Sequence, residues 1–434
     1  MNPANLIAKG SFGRHVFTLA GGTLAGQLIL FITLPVLQRY FYGPEAFGIF
    51  TIYVSLSEVL IDMSSLKYDM AIVKQKRLKN KANLLFLSLF TVSVSALLIF
   101  PAMGLVYTLA SDTKLVRELG YLIFLIPLSV WFFGSFNALN HWLNDKQRYR
   151  KMAAGKFINS MASEPFKIAS AKPLGGLAPG LILGRIFGQA AAFFYTAYLF
   201  LKADKKVLRF GSVSEIKTLA KQERAFPMFV MPVTLITTGI TYFFFQFVFN
   251  RFGNEKIGFL GPAISYIGVA VGILSSAFAQ VFYKKITLID DYSQLKKLYT
   301  KFALILFAGG IGLTAMIYLI PQAWITFILG ERWAEILPIS RIMVLWMVFS
   351  TVSLSLSNVH LKMGTQKSLL VLEILHFFIV LISLYGGYHY SGADFYGTLY
   401  AFAGGQIFYY LLSVGVAYYY LIQQTQKQKN NSNT

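Results

Sequence analysis

Tyr42-Gly43-Pro44-Glu45-Ala46-Phe47-Gly48 joins two apolar segments within Pro35 to Asp69. It recurs once, as Phe252-Gly253-Asn254-Glu255-Lys256-Ile257-Gly258, 210 positions later. Gly, Glu and Gly keep their spacing in both copies. In each, one apolar segment stops just before the turn and another starts at the second glycine. Glycine takes positive φ without a steric penalty, which suits a tight turn. The glutamate falls at the start of the next helix, where a carboxylate complements free N–H groups. Two copies that split a 434-residue chain near its middle predict a duplicated helical unit.

Composition identifies the surrounding medium. The chain is 56% hydrophobic, 16% aromatic and 13% charged. Apolar runs of about 20 residues, enough to span hydrocarbon as a helix, recur along it. An all-α polytopic membrane protein is therefore expected, not the roughly three soluble domains that length alone suggests. The first run, about His15 to Leu37, is too long for the apolar part of a cleavable signal. There is no cysteine, which excludes disulfides and thiolate chemistry. The net charge of +21 does not indicate a nucleic-acid partner, because the basic residues sit in short clusters between apolar runs.

Twelve spans are expected, near 15–37, 46–66, 82–107, 119–141, 153–172, 180–201, 226–249, 259–283, 299–320, 336–357, 369–389 and 396–421. With the N-terminus in the cytoplasm, inner segments hold 29 of the 39 Lys and Arg and outer loops hold seven. Short basic loops stay on the cytoplasmic side, so both termini are expected inside. Six spans return the chain to its starting side, which makes the two halves parallel about an axis along the membrane normal. The expected organisation is an N-lobe, 1–212, with its cytoplasmic linker from about 202, then a C-lobe, 213–421. The Gln- and Asn-rich tail, 422–434, is expected to be disordered. In the linker, Ser212 and Glu215 fit a capping box. Val213, Ile216, Leu219 and Ala220 form an apolar stripe, which predicts a short amphipathic helix on the inner membrane surface.

A charge at mid-bilayer costs about 2.5–3.5 kcal/mol, so each one should face protein or water. The second span carries Glu58 and Asp62, one turn apart. The sixth carries Arg185, the tenth Arg341, and the eleventh Glu373 and His376. The fifth is the least apolar: Lys156, Ser160, Ser163, Glu164 and Lys167 make one polar stripe opposite Phe157, Met161 and Ile168. A half-polar span normally lines water, although Glu164 and Lys167 are also spaced to pair with each other. Arg185 and Arg341 have no acid within one turn of their own helix, and exposure to a cavity is expected for both. His376 fits a packed, hydrogen-bonded histidine better than a proton relay. Gly180, Gly184 and Gly188, one turn apart, indicate close helix packing. No nucleotide-binding glycine loop, metal-ligand cluster or nucleophile elbow is present, so neither catalysis nor a cofactor is expected.

Gln38-Arg39-Tyr40-Phe41 running into the first turn, with Leu66-Lys67-Tyr68-Asp69-Met70-Ala71-Ile72-Val73 after it, resembles the opening of bacterial oligosaccharide (polysaccharide-repeat-unit) flippases. Gly175-Gly176-Leu177-Ala178-Pro179-Gly180 is similar to their fifth-to-sixth span connection, and Leu329-Gly330-Glu331-Arg332-Trp333 to an outer-loop signature. These motifs point to the multidrug/oligosaccharidyl-lipid/polysaccharide exporter superfamily. The resemblance implies two six-helix lobes around a central cavity in the cell inner membrane. The implied cargo is an undecaprenyl-pyrophosphate-linked oligosaccharide, moved from inner to outer leaflet.

On that resemblance, a pyrophosphate needs cations, which guanidinium can meet bidentately. Arg185, Arg341 and Lys167 are the candidates, with Arg14 and Arg39 at the mouths. Gln27, Asn137, Asn140 and Tyr242 are candidates for the glycan. Glu58, Asp62, Glu164, Glu373 and His376 are candidates for coupling to protons or Na⁺. The expected partners are lipid-linked oligosaccharide, membrane lipid and the glycan polymerase and glycosyltransferase machinery, with the chain itself a monomer. A cation-coupled multidrug antiporter is the alternative, since cationic drugs need carboxylates such as Glu58 and Asp62. A membrane-embedded glycan polymerase fits poorly, because the longest outer loop, around Pro321 to Glu335, is too short for an active site.

Overall fold

A computed structural model describes residues 12–286, 289–363 and 365–432. Among them twelve helices run for 20 to 38 residues, and each covers most or all of one predicted span. In order they are α1 Phe12–Tyr40, α2 Pro44–Ser64, α3 Leu78–Leu109, α4 Ile126–Asp145, α5 Tyr149–Ala171 and α6 Ala178–Asp204. Then follow α7 Met231–Phe252, α8 Asn254–Ile286, α9 Tyr292–Leu319, α10 Ile336–Leu356, α11 Gln366–Tyr390 and α12 Phe395–Ser432. No strand occurs among the described residues. Eight of these helices, counted with the short helical pieces that lead into them, are long and apolar enough to cross a membrane: α2, α3, α4, α7, α9, α10, α11 and α12. Large apolar side chains such as Leu97, Leu109 and Ile382 lie exposed on them, as expected of faces turned to acyl chains rather than water.

The chain forms two compact units, Met1–Gly258 and Phe259–Thr434. The expected lobe boundary was 212/213. The units part later, after the first turn of α8, because α7 packs against α2.

The two copies of the turn meet inside the first unit. A Cβ added at Gly258 would overlap the carbonyl oxygen of Pro44 and lie 2.5 Å from its carbonyl carbon. One added at Gly48 would overlap the carbonyl oxygen of Asn254 and lie 2.8 Å from its carbonyl carbon. Pro44 and Asn254 are equivalent positions of the repeat, as are Gly48 and Gly258, so the contact is reciprocal. The first glycines serve differently. Gly253 has φ +95°, but Gly43 is extended at φ −82°, with nothing near its absent side chain. The repeat thus keeps its second glycine for close approach, and only one copy uses its first for positive φ.

The linker helix forms where expected, over Val213–Gln222, but differs in what it packs against. It docks on protein: Leu219 is buried in a cluster with Tyr68, Ile72, Leu84, Leu85, Trp142 and Phe200. Glu215 pairs with Lys79 and accepts from Asn83 instead of closing a capping box, and the Ser212 N–H donates to Asn83. Beside this cluster Asp204 accepts from the Trp142 indole (3.0 Å) and from Arg148. In the second unit, Trp333 is fully buried, edge-on to Phe259. Its signature turns at Gly330, where φ is +95°. Where disorder was expected from 422, α12 continues as helix to Ser432, and Gln428 bonds the backbone of Asp290 and Tyr292.

Candidate functional site

The first unit brings together charged side chains of α2, α5 and α6, with Thr33 of α1. On α5 the Lys167 ammonium lies 2.6 Å from Glu164 Oε1, and both residues are buried. Thr33 of α1 donates to Glu164 Oε2 at 3.2 Å. The Lys167 ammonium also sits 5.3 Å from the ring centroid of Phe50 on α2. Tyr42 donates its hydroxyl to the Lys167 backbone carbonyl at 2.7 Å. Burial pushes the Tyr42 hydroxyl pKa up, against a smaller opposite effect of Ser170, so it stays protonated and can donate. The glycines of α6 make this burial possible. A Cβ at Gly184 would lie 2.5 Å from Lys167 Cγ, and one at Gly188 would lie 2.5 Å from the Asn159 carbonyl oxygen. The polar stripe of α5 therefore does not line water along its length: Ser163, Glu164 and Lys167 are covered by neighbouring helices, while Lys156 is exposed.

Arg185 of α6, expected to face a cavity, pairs its guanidinium with Glu58 of α2. Its own helix offers no acid within one turn, so the partner comes from another helix. The Glu58 side chain stays 39% exposed and that of Arg185 21%. Asp62 turns away from Glu58 to Lys67, 2.9 Å distant, so the two acids do not act as one pair. Lys67 and Leu66 sit at φ +59° and +50°, a left-handed corner. The buried Asp69 braces it, accepting from Ser65 at 2.8 Å and lying 3.5 Å from the His141 ring.

Sequence reasoning missed Gln189. It lies one turn past Arg185, is 1% exposed, and neither its amide nitrogen nor its oxygen finds a partner among the described residues. Arg185 Nε is likewise buried without a partner. Buried polar atoms are nearly always satisfied, so this face of α6 holds unmet hydrogen-bonding capacity. Its signal was present in the sequence, as an amide four residues from an arginine in an otherwise apolar run.

Of the other candidates in this unit, Arg39 is exposed at the end of α1. Gln27 on α1, Asn137 on α4 and Tyr242 on α7 are half-buried. Asn140 donates to the Phe136 carbonyl of its own helix. Arg14 lies in α1, but its side chain is outside the described residues.

In the second unit Arg341 departs from expectation. Its Nη2 donates to the carbonyls of Tyr318 (3.1 Å) and Ile320 (3.0 Å), and the guanidinium lies 5.8 Å from the Tyr318 ring. The last carbonyls of a helix lack intrahelical donors, and Arg341 supplies them to α9. Glu373 and His376 close a local network instead. His376 bonds Gln406 (2.9 Å), stacks on Tyr409 with ring centroids 3.7 Å apart, and approaches Glu373 to 3.7 Å. Tyr409 donates to Glu373 at 3.1 Å. Among the described residues no group of three His, Asp or Glu side chains is placed to hold a metal ion.

No protein-family model and no curated protein sequence matches the chain. Solved structures do. An inward-facing multidrug resistance MATE family transporter of the MOP superfamily superposes with a TM-score of 0.68 at 14% identity, over 96% of each chain. The MATE multidrug transporter DinF-BH, solved as a ligand complex, gives 0.59 at 16%, over 95% of this chain and 96% of its own. A MOP superfamily transporter from Pyrococcus furiosus, reported with a binding pocket of reverse polarity that suggests a different function, gives 0.59 at 14%, over 96% of each. At these identities the likeness defines the fold: an all-helical, multi-pass membrane architecture of the MATE type, shared by transporters of the MOP superfamily.

Proposed function

We propose that the chain is a secondary transporter with twelve spans and both termini in the cytoplasm, working in the cytoplasmic membrane by alternating access. Its finer assignment is a cation-coupled antiporter of organic solutes. One observation carries it: Glu58 is a carboxylate within a membrane-crossing helix, partly open at its side chain and held by an arginine of another helix. A proton, a metal cation and an organic cation can each replace Arg185 at that carboxylate, and competition for one site is what couples two fluxes. Arg185 and Gln189, with unmet hydrogen-bonding capacity on one face of α6, are placed to receive the polar groups of a cargo. Glu164 is buried against Lys167, and its role here is to hold α5 in register. The multidrug MATE proteins of the same fold support this reading by analogy.

A second reading, a flippase for lipid-linked oligosaccharide, is favoured by the motifs around Gly43 and Trp333. It is also favoured by Arg185, a guanidinium that the cargo's pyrophosphate could engage in place of Glu58. One pair of assays separates the readings. In a pump-deficient strain the antiporter lowers accumulation of a fluorescent lipophilic cation, and Glu58→Gln abolishes that. The flippase instead leaves dye unchanged, and its deletion piles lipid-linked repeat units in the inner leaflet.

A further inference from the structure

In the second unit, α9, α10 and α12 enclose a groove of about 440 Å³. Leu304 and Phe307 of α9, Phe349 and Val352 of α10, and Leu411 and Val414 of α12 line much of it. Leu304 and Leu411 are more than half exposed. Gly415 leaves the groove open along α12, since a Cβ there would meet nothing within 4 Å. The groove lies along helices apolar enough to cross a membrane, so what it meets is hydrocarbon.

One end of the groove is charged. On α9, Lys297, Thr300, Lys301 and Leu304 follow at helical spacing and are all exposed, so they make one continuous face. Thr300 and Leu304 line the groove, and Lys297 and Lys301 flank Thr300 on the same exposed helix face. Among the described residues neither lysine has an ion-pair partner. By the distribution of basic residues this is the cytoplasmic end. An apolar trough with two exposed lysines and a hydroxyl at one end suits a lipid with an anionic headgroup.

We propose that this groove binds an anionic glycerophospholipid of the inner leaflet, with its phosphate on Lys297 and Lys301 and an acyl chain along Leu304, Phe307, Leu411 and Gly415. The site is separate from the charged cluster of the first unit, and nothing in the transport reading requires it. Lysines near an anionic lipid contribute roughly fivefold each to binding. The apolar trough contributes through buried chain area.

The test is native mass spectrometry of the intact protein, released from micelles containing phosphatidylglycerol or phosphatidylcholine at equal mole fraction. Wild type is expected to retain phosphatidylglycerol in preference. Lys297→Gln with Lys301→Gln should lower that retention roughly 30-fold and erase the preference. Gly415→Leu, which narrows the trough from a position whose Cβ meets nothing within 4 Å, should lower retention of both lipids. A diazirine placed on the acyl chain should label the peptides around 299–307 and 411–418. Equal retention of the two lipids by wild type overturns the proposal. So does unchanged retention in the lysine double variant or in folded Gly415→Leu, or label scattered evenly over the helices.

Discussion

Gly258→Ala places one methyl group against backbone. The new Cβ would overlap the Pro44 carbonyl oxygen and stand 2.5 Å from its carbonyl carbon, and a carbonyl cannot rotate away as a side-chain tip can. Overpacking costs about 1–3 kcal/mol where side chains yield, so about 3 kcal/mol is expected here, from separation of α2 and α8. Gly48→Ala meets Asn254 in the same way, with its carbonyl carbon at 2.8 Å and Ile257 Cγ2 at 3.0 Å. Gly43→Ala is the control. Its backbone is extended and its surroundings are open, so restricting the unfolded chain should stabilise it by up to about 1 kcal/mol. Thermal unfolding in detergent, followed by loss of the monodisperse size-exclusion peak at one heating protocol, reads the difference. At about 2–4 °C per kcal/mol, Gly258→Ala and Gly48→Ala should fall by about 6–12 °C while Gly43→Ala holds or rises. If Gly258→Ala matches wild type, or Gly43→Ala falls as far, the close crossing of the two turns is refuted.

Lys167→Met leaves Glu164 buried beside a single hydroxyl and should cost about 3–5 kcal/mol, whereas Lys167→Met with Glu164→Gln should recover most of it; the same thermal assay gives the coupling. Leu219→Asp should undock the linker helix and speed proteolytic nicking within residues 204–224, with the remaining helices still folded. His360, buried in the segment that joins α10 to α11 and bonded to Thr365 at 2.8 Å, has its pKa lowered below 6.5 by burial. The unfolded chain therefore takes up the proton first: stability tied to His360 is complete above about pH 6.5 and is lost as pH falls through its folded value. Stability measured from pH 7.5 to 5 should drop in wild type and drop less in His360→Gln.

The helices were legible because their signal is one-dimensional: an apolar run of span length has one stable state in hydrocarbon. The glycine repeat was legible as a pattern, yet its purpose was not, because the atoms crowding Gly48 and Gly258 belong to Asn254 and Pro44, in the other copy of the repeat. Partners of the charged residues were the least legible. Lys167 finds Glu164 on its own helix, at a spacing visible in the sequence. Arg185 finds Glu58 on another helix, and Arg341 finds backbone carbonyls, which carry no residue identity at all. The linker helix has the stripe of a membrane-surface helix, and only tertiary packing reveals that Leu219 is buried in protein. Gln189 went unnoticed because a lone amide in an apolar run shows its lack of partners only once its neighbours are placed.

The central claim is that Glu58, open beside Arg185, exchanges one cation for another across the membrane. Its most direct test is proteoliposomes carrying the purified chain, an imposed proton or Na⁺ gradient, and a fluorescent lipophilic cation. Gradient-driven uptake by wild type that vanishes in Glu58→Gln, with Asp62→Asn still active, is the predicted result. A folded wild type that moves no dye under either gradient, or a Glu58→Gln variant that moves it at the wild-type rate, contradicts the account.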